Sequence, residues 1–169
     1  QVYHTEVDAP PQSTFLNRVN QGERYLLFTI SNYCYALSVS HLLEIGRVPR
    51  ITTIPNVPSW LPGIINLRGE VLSIVDLRSF LQIEDIRKFE NSRMLVVKTD
   101  GDEMMTSLIV DQVKGFAQLD TAQMEISSLS LDDKFAPYLK GTYEYGDQIL
   151  AVIDLERFLF SPEIRQFES

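Results

Sequence analysis

The sequence holds a single cysteine, Cys34, so no disulfide can form within the chain, and a reducing compartment is the default. Positive charge is also scarce. Fifteen lysines and arginines stand against 23 acidic residues, a net charge of −8. On average such a surface repels phosphate backbones and anionic lipid, which weighs against nucleic acid and membrane surfaces as partners. No apolar run approaches the roughly 20 residues that span a bilayer, and the N-terminus shows no signal-peptide pattern. The expected location is therefore the cytoplasm, without direct membrane insertion.

Catalytic chemistry is equally short of parts. Only two histidines, His4 and His41, are available as bases, and no GxSxG elbow accompanies them. Cys34 sits inside an apolar alternation, where a packed small side chain is the simpler reading. No Cys/His cluster has metal-ligand spacing, and "TDGDE" (99–103) is too short for a calcium loop. Phosphate cradles are missing too, with no P-loop and no GxGxxG between a strand and a helix. The expectation is no enzyme, no metal and no cofactor. Aromatic residues are plentiful, but Tyr25, Phe28, Tyr33 and Tyr35 alternate as strand residues do, without interleaved cations to track a backbone.

What the chain does have is strand. Its apolar content of 44% over 169 residues suffices for a core. Residues 24–30 and 33–39 read as strands around a tight turn at Ser31-Asn32. Residues 93–99 and 104–110 flank Asp100-Gly101, a type I′ hairpin signal. Two more hairpins are predicted around Arg68-Gly69 and Gly146-Asp147. Helical signals are short: 76–82 and 154–160 each open with an aspartate able to cap the first free amides, and 132–140 has room for a turn or two. Residues 1–22 read as a loosely ordered arm. The segment 49–62 has four prolines but also Ile51, Ile54, Val57, Trp60 and Leu61, which predicts an ordered strap.

The chain also repeats itself. At an offset of 78, Leu61, Gly63, Leu72, Asp76-Leu77 and Phe80-Leu81 recur as Leu139, Gly141, Leu150, Asp154-Leu155 and Phe158-Leu159. At an offset of 71, "ALSVSHL" (36–42) resembles "SLIVDQV" (107–113). Half the chain buries too little surface to stand alone, so two halves should pack together as small β-barrels with a groove between them. Two charges sit among apolar neighbours: Glu44 in "HLLEIGRV" and Arg68 in "INLRGEV". From spacing alone, each is an ordinary solvated residue.

The stretch 57–81, "VPSWLPGIINLRGEVLSIVDLRSFL", closely resembles the signature of the CheW family of bacterial chemotaxis coupling proteins. The resemblance extends over about 23–160. It implies a mainly β fold of two intertwined five-stranded SH3-like barrels with short helices. The expected layout is an extension at 1–22, barrels at about 23–83 and 90–160, and a tail at 161–169. It also implies a non-enzymatic adaptor that couples the cytoplasmic tip of a chemoreceptor to the regulatory domain of a CheA-type histidine kinase, in receptor arrays at the inner membrane. Leu42, Glu44, Ile45, Gly63 and Arg68 match the family positions associated with partner binding, and the glutamate and arginine are expected to face each other beside the groove. The alternative is a small-ligand or peptide-binding double barrel outside chemotaxis. Ser73 departs from the proline common in the family.

Overall fold

The computed structural model describes residues 22–81, 91–101, 105–125 and 135–166. Strands β1 (Glu23–Ile30) and β2 (Tyr33–Ser38) form the first hairpin, with Ile30 facing Tyr33 across the Ser31-Asn32 turn. A 3-10 turn at Val39–His41 leads into β3 (Leu42–Arg47), and the proline-rich strap carries β4 (Thr52–Thr53). The second hairpin is β5 (Gly63–Leu67) and β6 (Glu70–Asp76), followed by α1 (Leu77–Phe80). Strands β7 (Arg93–Lys98) and β8 (Met105–Val110) are antiparallel; their connecting turn lies partly outside the described residues. Then come β9 (Gln112–Leu119), the hairpin β10 (Leu139–Tyr145) and β11 (Gln148–Ile153), α2 (Leu155–Leu159) and α3 (Pro162–Arg165).

Both predicted caps form. Asp76 accepts the amide of Arg78 at 3.1 Å, and Asp154 that of Arg157 at 3.1 Å. Of the predicted turn at 132–140, the described part is a 3-10 turn at Ala136–Tyr138. Residues 162–165, within the stretch read as a tail, form α3, which buries Ile164 in the core. The strap is ordered as expected, with Trp60 and Leu61 buried. The arm lies outside the described residues apart from Gly22.

The strands assemble into two sheets with the orders β10-β11-β2-β1-β9 and β3-β7-β8-β6-β5-β4. These are sheets rather than the closed barrels expected, and the second has six strands instead of five. The ends explain why neither closes with a ladder. In the first sheet, among the described residues, the chain beyond β9 reaches β10 through one bridge, between Glu125 and Thr142. In the second, the end strands β3 and β4 are consecutive. Pro49 between them has no amide to donate, and β4 is only two residues long.

The repeat is visible in the pairing itself. Leu27 faces Ala36 and Gly115, while Val96 faces Ser107 and Glu44. Both β3 and β9 carry a bulge at the matching place, with Leu43 and Lys114 the extra residues. Trp60 and Tyr138, 78 positions apart, each accept from the capping aspartate's amide at 2.8 Å. The two halves are therefore copies that exchange strands. The first sheet takes β1 and β2 from the first half and β9, β10 and β11 from the second. The other sheet makes the reciprocal selection, and the halves join at the parallel pairs β2–β11 and β6–β8 and at the antiparallel pairs β1–β9 and β3–β7.

Exchange makes the inner strands apolar on both faces. In β1, Tyr25 and Leu27 fill the interior of the first sheet, while Leu26, Phe28 and Ile30 enter a cluster shared by both sheets. In β7, Met94 and Val96 fill the second sheet's interior, and Leu95 and Val97 join the shared cluster. Phe80, Phe135 and Phe158 pack edge-on or tilted at that cluster's centre, with ring centroids 5.0–5.7 Å apart.

Candidate functional site

Arg68 and Gly69 form the two-residue turn between β5 and β6, and both adopt positive φ, 51° and 89°. This type I′ geometry matches the right-handed twist of the hairpin, but it suits glycine better than arginine. The Gly69 amide donates to Asn66 Oδ1 at 3.0 Å, which fixes the tip. From there the Arg68 guanidinium reaches β3 and forms a two-armed ion pair with Glu44: Nη2 meets Oε1, and Nη1 lies 3.4 Å from Oε2. The hydrogen bond to Glu44, and then its charge, raise the Arg68 pKa above the ordinary arginine value. The Arg68 side chain remains 72% exposed and that of Glu44 27% exposed. Solvent therefore screens the pair heavily, and it contributes little to stability.

The other three residues matched to the family divide by role. Ile45 is exposed on β3, as is Leu43, at positions that alternate with half-buried Glu44 along the strand. Leu42 is half-buried and packs on the shared core. Gly63 lies at the opposite end of β5 from Arg68, paired with Thr53 of β4. A Cβ there would collide with the Thr52 carbonyl and come within 2.9 Å of Ile51 Cγ2. Gly63 is thus needed for close backbone approach, and the structure brings only Glu44 and Arg68 into direct contact with each other.

The repeat supplies an internal control. Strand register pairs Glu44 with Gly115, Ile45 with Phe116, and the offset of 78 pairs Arg68 with Gly146. Phe116 is exposed, as Ile45 is. Gly146 occupies its turn at φ 62°. The second copy therefore builds the same hairpin and the same bulged strand with glycine at both charged positions.

Residues 24–163 match the CheW-like domain. The chain belongs to this family. Relatives include the chemotaxis protein CheW of Klebsiella aerogenes, 27% identical over 143 residues, covering 85% of each protein. The protein PilI of Pseudomonas aeruginosa is 32% identical over 108 residues, covering 62% of this chain and 60% of PilI. The scaffolding protein TtCheW from Thermoanaerobacter tengcongensis superposes with a TM-score of 0.74 at 25% identity, covering 84% of this chain and 90% of that one. The family is one of chemotaxis scaffold proteins, and this CheW-like chain shares its β-rich fold.

Other chemistry-bearing residues keep ordinary roles. Asp154 is a cap whose ion pair with Arg157 is exposed. Among the described residues, no group of three His, Cys, Asp or Glu side chains could hold a metal ion, and no helix is long and apolar enough to cross a membrane. Arg78 is a residue that local sequence reasoning missed. It is buried beside Asp76 and Asp111, with ion-pair distances of 3.5 Å to each. Its one signal is an arginine two residues after a capping aspartate, within an apolar run.

Proposed function

We propose that this CheW-like chain is a non-enzymatic adaptor that couples the cytoplasmic tip of a chemoreceptor to a CheA-type histidine kinase. It would act in the cytoplasm at receptor arrays. The observation that carries the reading is the glycine pair of the second copy. Gly115 and Gly146 complete the same framework without charge, so the fold does not need Glu44 and Arg68. An arginine at positive φ, paired with a glutamate beside exposed Leu43 and Ile45, is better explained by a partner than by stability. In this mechanism exposed Leu43 and Ile45 supply contact area, and the ion pair holds the β5–β6 tip against β3 and fixes register with the partner. Leu42 and Gly63 act behind it, Leu42 by anchoring β3 to the core and Gly63 by seating β4.

The test is binding of a receptor-tip helical hairpin to immobilised full-length protein, with the kinase regulatory domain assayed in parallel. Arg68→Glu and Glu44→Lys should each weaken receptor binding by about tenfold or more. Circular dichroism should stay unchanged, and the double reversal should recover part of the affinity. Unaltered receptor binding in folded Arg68→Glu would remove these residues from the interface. Absence of binding by the parent protein to both partners would remove the adaptor reading itself.

A further inference from the structure

We infer that the buried Arg78–Asp111 pair is a clasp that sets the position of the β1–β2 turn and, through it, the shape of an apolar groove on the first sheet. Asp111 is the single residue between β8 in the second sheet and β9 in the first. Its amide donates to the Thr29 carbonyl at 3.0 Å, and its Oδ2 accepts the Ser31 amide at 2.6 Å. Its Oδ1 lies 3.5 Å from Arg78 Nη1, and Arg78 Nε lies 3.5 Å from Asp76 Oδ1. Arg78 belongs to α1, directly after β6 of the second sheet. Asp111 therefore holds the end of β1 through its amide and the following turn through its carboxylate, and the same carboxylate ties this corner to Arg78 of the other sheet.

This corner is polar. Thr29, Ser31, Ser92 and Gln112 line a cavity of about 140 Å³ together with Arg78 and Asp111. Ile30 anchors the end of β1 in the shared core, and beyond it the placing of Ser31 falls to charge and hydrogen bonds. The other crossing between the sheets is built without ions. Ser40 is the repeat counterpart of Asp111 and Glu156 that of Arg78, and the chain passes from β2 to β3 through a turn capped by Ser38 Oγ. The fold tolerates an uncharged crossing. What the clasp adds is control of Ser31, a non-glycine residue held at φ 57°.

The residues that follow Ser31 form a surface. Tyr33 and Cys34 of β2, with Gln148 and Ile149 of β11, line a groove of about 380 Å³. Tyr33 and Ile149 are exposed, and the parallel pairing of β2 with β11 covers only Cys34, Tyr35 and Ala36. A shift of the turn is transmitted straight into this groove.

Cys34 reports on it directly, because it is the only thiol of the chain and its Sγ lies 3.4 Å from Gln148 Oε1. The experiment measures alkylation of the full-length protein by N-ethylmaleimide, together with hydrogen exchange of the Ser31 amide. Asp111→Asn and Arg78→Met should each accelerate both by about tenfold through local opening. Arg78→Lys keeps a cation and should stay within about threefold of the parent. Leu72→Ala, in the interior of the second sheet, serves as the control and should lower global stability without accelerating either rate in the absence of denaturant. The clasp is refuted if Asp111→Asn and Arg78→Met stay within about twofold of the parent, or if Leu72→Ala accelerates both rates equally. Should Arg78→Met fail to fold, the milder Asp111→Asn, which retains an acceptor for Ser31, decides alone.

Discussion

At the scale of single residues, the two copies within the chain act as natural substitutions of each other. Arg68 and Gly146 occupy equivalent turn positions at φ 51° and 62°, a conformation that glycine adopts more readily than arginine. Arg68→Gly should therefore leave the thermal midpoint within about 3 °C of the parent, because relief of the backbone offsets loss of a screened ion pair. Receptor binding should nevertheless fall as it does in Arg68→Glu. A clear loss of stability by calorimetry would mean that the ion pair serves the fold. Ser107 and Ala36 make a second comparison. Both are fully buried at equivalent places in β8 and β2, but the Ser107 hydroxyl has no hydrogen-bond partner. Removing an unsatisfied buried hydroxyl recovers its desolvation penalty, so Ser107→Ala should stabilise the protein by about 1 kcal/mol in chemical denaturation. Ala36→Ser should destabilise it by a similar or larger amount.

At the scale of elements, Gly63 and Gly141 explain why the repeat preserves glycine at an offset of 78. Each stands where a neighbouring backbone passes: Thr52 of β4 against Gly63, and the Glu125 carbonyl against Gly141. Gly63→Ala has no room unless β4 moves, and should destabilise the protein by at least about 2 kcal/mol. Gly69→Ala meets nothing within 4 Å and should cost only about 1 kcal/mol for its positive φ. Urea midpoints of the two variants check this order; equal losses would show that steric approach at β4 is unimportant. Hairpins and capped turns were legible in the sequence because each is signalled locally, by Arg68-Gly69, Gly146-Asp147, Asp76 and Asp154. Strands β3 and β9 were harder to see, since their bulges interrupt strict alternation around Leu43 and Lys114. Glu44 and Arg68 were each unremarkable from spacing; their contact is made only when β3 and the β5–β6 tip meet across the second sheet. Burial of Arg78 was hidden because its partner Asp111 lies on another strand and no local pattern links them.

At the scale of the whole molecule, the repeat suggested two halves packed side by side, but strand exchange makes each half incomplete. The first half leaves β1 and β2 as a lone hairpin, because β9 and β11 come from the second half. It also leaves β3 without its partner β7. A two-stranded hairpin is marginal in water, and the shared core draws side chains from both halves and both sheets. Neither half should therefore fold alone, and the intact chain should unfold in one cooperative step. Trp60, the single tryptophan, is buried against Phe80 with ring centroids 5.5 Å apart, and so reports on the shared core. Its fluorescence should change at the same denaturant concentration as the far-ultraviolet dichroism of the sheets. Fragments 1–83 and 90–169 should each lack strand dichroism when separate. Mixed, they should regain it together with the Trp60 signal, because complementary strands then complete both sheets. If either fragment folded alone with a cooperative transition, exchange would be dispensable, and the relation between the sheets would rest on surface contacts instead of a common core.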